Sequence, residues 1–325
     1  MKKLRISAIV LIFQIVVSAL GFAESDFSFT AEPFAGFHSG VQDEFVYTSK
    51  YSGEKKLSEL NWDQNRLFVY GARVYLIGKK IQFFGGLGAA AGSECGIVRD
   101  SDWLNAANHN DPELDKIKTN YSESDSNLQK YINANFGMAV NFDLNSKNKI
   151  SPFAMIDYYH TEFYAQNLAY QYAQCDSNGI YGSYDNAEKK FVTGKMLSLE
   201  RLEYLTWLGL IYKLNATDRL TVNFSGAICP YAYVSSLDIH ETSSKYFLDE
   251  MEGFFCGARG MIGLEYEITS RFVLTLRAQG FVLTSDRGTT KIKIGKNGNY
   301  SDSNGGSGFG LEMGEIQLGL KTKIF

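Results

Sequence analysis

Along much of this chain hydrophobic and polar residues alternate with a period of two, and no helical period competes with it. In 132–142 the apolar parity is Ile132, Ala134, Phe136, Met138, Val140 and Phe142, while Asn133, Asn135, Gly137, Ala139 and Asn141 take the other. The same split recurs in Leu220, Val222 and Phe224 against Thr221, Asn223 and Ser225, and in Phe272, Leu274 and Leu276 against Thr275, Arg277 and Gln279. It is looser over 202–214 and 68–76. Because successive side chains of a strand point to opposite faces, each segment predicts a β-strand with one greasy face and one wet or small face.

Alternation alone fits a soluble sandwich as well as a barrel, and the connections separate the two. Short polar turns at 78–80, 144–149, 215–218 and 268–271 alternate with long hydrophilic stretches at 102–125, 166–197, 237–252 and 286–307. Tight turns at one end and long loops at the other predict an all-β fold, a transmembrane antiparallel up-and-down β-barrel of about ten strands. Its long loops would be extracellular and its short turns periplasmic. The last strand runs to the chain end on the parity Ile316, Leu318, Leu320, Thr322, Ile324, with Phe325 next to it on the other parity.

The N-terminus supplies the route to that membrane. Met1, Lys2, Lys3, Leu4 and Arg5 precede an apolar run from Ile6 to Leu20, and the small residues Gly21 and Ala23 follow. This order predicts a secretory signal cleaved after Ala23. Residues 1–23 are then a signal peptide and 24–325 a single outer-membrane β-barrel domain. The run is shorter than the roughly 20 residues a spanning helix needs, and it contains Gln14. The absence of cysteine near the boundary argues against a lipoprotein.

Composition sharpens the picture in three places. Tyr 20, Phe 23 and Gly 31 against Pro 4 suit long strands with aromatic girdles. A net charge of −4 gives no basic surface for nucleic acid. Cys95, Cys175, Cys229 and Cys256 match no zinc or haem spacing; an oxidising compartment allows one or two disulfides, isolated thiols on lipid-facing strands fit nearly as well, and no pairing is expected.

Candidate chemistry starts from the four histidines. His38 and His160 lie on strand segments without a nearby acid in matching parity, and His109 lies in a loop rich in Asn and Asp; all three read as ordinary lumen, surface or solvated residues. His240 differs because Asp238 precedes it by two. On a strand, residues i and i+2 share a face with Cα atoms about 6.5 to 7 Å apart, so the carboxylate can orient the imidazole and favour its protonated form. Asp100 and Asp102 form a second pair with the same spacing, followed by Trp103. Two acids on one face at a rim can share a proton and hold a water molecule.

The stretches 57–62 (Leu-Ser-Glu-Leu-Asn-Trp), 98–103 (Val-Arg-Asp-Ser-Asp-Trp) and 235–240 (Ser-Ser-Leu-Asp-Ile-His) resemble, in order and approximate separation, the landmarks of the omptins. The segment Glu44, Phe45, Val46, Tyr47 is similar to an early omptin segment that carries a specificity acid. Omptins are ten-stranded outer-membrane endopeptidases. The resemblance therefore implies that His240 is the general base, Asp238 its orienting partner, and Asp100 and Asp102 the pair facing them across a groove. Water between Asp100 and His240 would attack the peptide carbonyl, with no acyl-enzyme. Glu44 matches a substrate-binding acid, but the second acid expected two residues before the dyad aspartate is Ser236 here. A milder preference for basic residues follows, with Glu113, Asp115 or Glu241 as compensating acids.

The resemblance implies no cofactor and no metal. The expected partners are peptide or protein substrates at the cell surface and outer-membrane lipid, with no nucleic acid. A catalytically silent adhesin or surface antigen would use the same scaffold, with the Asn, Ser, Gly and Tyr-rich stretches 166–184 and 296–306 as its binding loops. Retention of all four catalytic-type residues favours the enzyme. A barrel of about ten strands leaves an interior too narrow for a general porin.

Overall fold

Each short polar turn closes a hairpin in a computed structural model, which describes residues 27–48, 55–284 and 288–325. Gly78 N bonds Ile81 O at 2.8 Å, Leu144 N bonds Asn148 O at 2.9 Å, Ala216 N bonds Leu220 O at 2.9 Å and Ile268 N bonds Phe272 O at 3.0 Å. The segment expected to be a cleaved leader lies outside the described residues.

The β segments are, in chain order, β1 (Ser28–Thr48), β2 (Lys55–Asp63), β3 (Leu67–Ile77), β4 (Ile81–Ala91), β5 (Glu94–Asp102), β6 (Asn120–Val140), β7 (Phe142–Asp143), β8 (Asn148–Tyr172), β9 (Lys190–Asn215), β10 (Leu220–His240), β11 (Lys245–Gly253), β12 (Cys256–Glu267), β13 (Phe272–Thr284), β14 (Gly288–Ile294) and β15 (Ser301–Lys323). In the lower half the order is β1, β3, β4, β6, β8, β9, β10, β12, β13, β15. Antiparallel pairing of β1 with β15, from Thr30↔Lys323 to Tyr47↔Gly306, closes the ring. This is a ten-stranded barrel.

Above that level β2, β5, β11 and β14 take the places of β3, β4, β12 and β13, so the upper ring also has ten strands. The joints fall near residues with positive φ: Arg66 (57°), Gly92 (129°) and Gly253 (148°). Glycine occupies two of them because that backbone region is strained for a residue with a Cβ. The ladder carries on across the first joint, where Gly40 and Gln64 exchange backbone bonds of 3.1 and 2.9 Å.

One expectation is revised. The hydrophilic stretches at 102–125, 166–197, 237–252 and 286–307 are in large part strand, since β6 starts at Asn120, β8 runs to Tyr172, β9 starts at Lys190 and β11 and β14 form upper hairpin arms. Above the bilayer both faces of a strand meet water or polar neighbours, so alternation fades while the ladder continues. Sequence periodicity therefore marks only the lower half of each strand.

The outer surface confirms which half is in lipid. Phe37, Ile228 and Ile316 are 62%, 63% and 61% exposed, and Phe136, Met138, Leu208, Phe224, Ile262 and Leu274 join them. An apolar surface so continuous belongs in a bilayer. The ring centroids of Tyr158 and Tyr204 lie 5.1 Å apart and those of Tyr204 and Tyr233 6.2 Å apart at the upper border of this belt, and Phe29 stacks on Phe325 at 5.6 Å at the lower end.

Inside, the barrel is filled. The lower lumen is cross-linked by Arg73–Glu32 (2.9 Å), Arg259–Asp157 (2.6 Å), Lys321–Glu265 (2.8 Å) and Gln279–Glu315 (2.7 Å), around a cavity of about 120 Å³. Over it lies an apolar plug that includes Trp62, Phe163, Leu199, Leu205, Trp207, Leu311 and Phe309, all buried. A filled lumen of this kind is a floor for a site and leaves no pore. All four cysteines are free; Cys95 and Cys229 are buried, which corrects the lipid-facing expectation for those two, while Cys175 and Cys256 are exposed.

Candidate active site

The plug sets the parity of everything above it. Val98 on β5 and Val234 on β10 are 2% and 0% exposed, so Asp100 and Asp102, two and four residues beyond Val98, share its inward face. Ser236, Asp238 and His240 continue the inward face of β10 beyond Val234. β6, β8 and β9 separate the two strands in the upper ring, which puts the aspartate pair and the Asp238–His240 pair on nearly opposite walls of the mouth.

Each pair is held from outside itself. His240 Nε2 and Asp238 Oδ2 are 2.8 Å apart, the imidazole packs against Phe247 with centroids 5.0 Å apart, and Glu241 N donates to Met196 O at 2.9 Å to fix the strand end. A hydrogen on Nε2 donated to Asp238 leaves Nδ1 as the basic nitrogen. Asp238 Oδ1 is buried and has no hydrogen-bond partner among the described residues. Across the mouth, Ser58 Oγ donates to Asp100 Oδ1 at 3.3 Å and Asn120 Nδ2 donates to Asp102 Oδ2 at 3.0 Å. Backbone bonds from Trp103 N to Leu57 O and from Thr119 N to Asp102 O, both 2.8 Å, pin the rim.

The charges of the two walls act on each other. Burial, then the charge of Asp102, push the Asp100 carboxyl up to about 8, while His240 pulls the other way. Asp102 is also raised, by burial, against the donors Asn120 and Ser58 and the charge of His240. Burial disfavours a charged His240, but the hydrogen bond and charge of Asp238, together with Asp100 and Glu44, outweigh it and raise the imidazole above its ordinary value. Around neutral pH the cluster therefore retains protons that isolated carboxyls would have lost. These protons belong to the cluster as a whole.

Glu44 lies directly below. Its Oε1 accepts from Ser236 Oγ at 2.8 Å and forms an ion pair with Arg201 Nη2 at 3.3 Å, its Oε2 accepts from Trp62 Nε1 at 3.2 Å, and it is 6% exposed. Burial raises its carboxyl and Arg201 opposes that. The other acids expected to compensate for Ser236 all have partners: Glu113 with Lys116 (2.7 Å), Asp115 with Lys55 (2.8 Å), Glu241 with Ser198 (2.7 Å) and Lys195 (3.2 Å).

One histidine is corrected, His160, and His38 gains its acid from a distant strand. His38 is fully buried, with Nδ1 3.1 Å from Glu315 Oε1 and Nε2 3.2 Å from Gln64 Oε1. His160 Nε2 lies 3.0 Å from Glu200 and 3.3 Å from Glu162, which stands two residues on in matching parity. Both have acids, though the roles are structural: His38 cross-braces the lumen and His160 sits on the outer wall. His109 is tied to Gly179 O at 3.0 Å. His160, Glu162 and Glu200 are the one metal-like group among the described residues, and Lys130 Nζ already fills it, 2.9 Å from Glu162 and 3.4 Å from His160.

Ser58, Asn120 and Arg201 are the site residues that sequence reasoning missed as individuals. Ser58 stood in one of the family-like stretches without a role. Arg201 carries a signal in hindsight, being a charge on the parity of Leu199, Leu205 and Trp207, all at most 1% exposed.

Comparison with known proteins agrees with this architecture. The family profile described as "Omptin family" matches residues 24–324. No curated protein matches. Among solved structures, the outer membrane protease OmpT from Escherichia coli superposes with a TM-score of 0.80 at 17% identity, over 93% of this chain and 99% of that one. The translocator domain of the autotransporter NalP from Neisseria meningitidis aligns with 97% of this chain and 95% of its own, at 10% identity and a TM-score of 0.35.

Proposed function

This chain belongs to the omptin family, and from that premise we propose that it is an outer-membrane surface endopeptidase in which Asp100, Asp102, Asp238 and His240 activate water to hydrolyse a peptide bond. The observation that supports the reading is the facing of the two pairs across the mouth: His240 Nε2 lies 2.8 Å from Asp238 Oδ2 on β10, and Asp100 and Asp102 share the inward face of β5, with three strands between.

In this reading His240 Nδ1 takes a proton from a water held between it and the Asp100 side. The hydroxide so formed attacks the carbonyl carbon of the substrate. A proton retained by the Asp100–Asp102 pair hydrogen-bonds the developing oxyanion, and His240 then gives its proton to the leaving amine. Asp238 keeps the imidazole in the tautomer that leaves Nδ1 free. The nucleophile is water, so no side chain is acylated. Glu44 lies below as a substrate-facing acid. A silent adhesin would need none of these proton affinities.

The pH profile tests the reading, and its sign follows from the shifts. The active form has neutral His240 and one proton on the aspartate pair. Activity therefore rises with pH as His240 deprotonates above its ordinary value, and falls again near 8 as Asp100 loses its proton. A bell-shaped kcat/KM on a peptide mixture, with ¹⁸O from solvent in one new carboxylate per cut, is the expected outcome. A profile flat from pH 6 to 9, or no cleavage by the folded barrel, contradicts it.

Ser58→Ala gives a smaller check. It removes a donor to Asp100 Oδ1, worth about 1 to 2 kcal/mol, so kcat is expected to fall roughly five- to thirtyfold. The descending limb should also move up, because a carboxylate without that donor holds its proton more tightly. A loss of activity with an unmoved limb would assign Ser58 to packing alone.

A further inference from the structure

We propose that Arg201 determines the specificity of this site: it neutralises Glu44 from within, so that the pocket beneath the dyad takes a peptide side chain without positive charge. The proposal rests on the endopeptidase reading and concerns which peptides that site accepts.

The location follows from the strand. Ser236 lies two residues below Asp238 on the inward face of β10, about 7 Å deeper into the barrel, and its hydroxyl is 2.8 Å from Glu44. A substrate side chain flanking the bond attacked near His240, and entering the mouth, ends against Ser236 and Glu44. A lone buried carboxylate there would call for lysine or arginine.

Glu44 is not alone. Both of its oxygens are engaged, Oε1 by Ser236 and Arg201 and Oε2 by Trp62. Arg201 is itself fully buried and held in place: Nη1 donates to Gln42 Oε1 at 3.2 Å, Nη2 donates to Asp43 O at 3.3 Å, and the guanidinium lies 4.8 Å from the Phe309 ring centroid. A guanidinium stays charged at any working pH and matches a carboxylate in a fixed geometry. Glu44 and Arg201 thus sum to zero, and a substrate cation would have to sit beside a like charge or eject an arginine anchored on four sides.

Two further inward acids do not restore the balance. Asp249 stands directly across the ladder from Ser236, but its Oδ1 accepts from Thr290 Oγ1 at 2.6 Å and burial pushes its carboxyl up to about 7; Glu203, two residues from Arg201 on the inward face of β9, is buried and is likewise pushed up to about 7 by burial against the pull of Arg201, so each brings only part of a charge at neutral pH. Arg201 Nε is buried without a hydrogen-bond partner among the described residues. That donor suits a neutral acceptor, such as the amide oxygen of glutamine or asparagine or the hydroxyl of serine or threonine.

The test is the cleavage profile of the refolded full barrel on a peptide library varied at both residues flanking the cut. Wild-type protein is expected to favour uncharged polar residues over Arg and Lys. Arg201→Gln is expected to raise kcat/KM for an arginine-containing peptide relative to its glutamine counterpart by about tenfold or more, and Arg201→Lys, which keeps the charge, to retain the wild-type order. Glu44→Gln leaves the guanidinium uncompensated and should shift the profile toward Glu and Asp, an arm that stands even if Arg201→Gln fails to fold. Wild-type cleavage favouring Arg or Lys by tenfold, or ratios unmoved in both variants, overturns the role of Arg201 while leaving the endopeptidase standing. Absence of any cleavage overturns the endopeptidase reading and this inference with it.

Discussion

Replacing His240 by alanine is expected to lower kcat/KM for peptide cleavage by about 10³- to 10⁴-fold, equivalent to roughly 4 to 5 kcal/mol of transition-state stabilisation. Nδ1 of His240 is the group in the mouth free to take a proton from water, because Nε2 is committed to Asp238 at 2.8 Å. The barrel should be indifferent to the change. The His240 side chain is 35% exposed at a strand end, well above the plug and the lumen ladder that hold the fold. Unchanged far-ultraviolet circular dichroism and melting, alongside lost cleavage, is the expected pair of results. A variant that melts early would place His240 in the framework, and one that still cleaves would remove it from the chemistry.

Asp100→Asn is expected to cost about 10²- to 10³-fold in kcat, with a signature that a packing defect would not copy. The amide preserves shape and can still meet Ser58, but it holds no titratable proton, so the descending limb near 8 should vanish. Asp102→Asn acts one step further out. Since the charge of Asp102 helps raise Asp100, its removal should bring the descending limb down. Limbs that stay in place in both variants would contradict the shared-proton account.

How much of this was legible beforehand follows from what each residue touches. Ile132 to Phe142 announced a strand because one face meets lipid and the other a polar lumen, two solvents of opposite kind. The upper part of β6 from Asn120 did not announce itself, because neither face is greasy there. The two i, i+2 pairs were legible for the same reason as the strands: period two places Asp238 and His240 on one side whatever the register. Their mutual approach, and the partners that tune them, depend on the register of ten strands. Ser58 reaches Asp100 across β2 and β5, Glu315 reaches His38 across β1 and β15, and Arg201 reaches Glu44 across the lumen. The sequence reading missed such partners, and it overlooked Glu162, which follows His160 by two on the same parity. The substrate acid shows the same limit, since Glu44 reads as a charge along the chain and as half of a neutral pair in the folded barrel.

The central claim is that both pairs act on one water molecule, and a double-variant cycle tests it most directly. The measurement is kcat/KM of Asp100→Asn, His240→Ala and the combined variant on one fluorogenic peptide at the pH optimum. If the two walls serve a single water, the combined variant should retain about the activity of the poorer single variant, as groups acting as a unit do. Losses that multiply would mean that the aspartate pair and the dyad work independently, contrary to the site described.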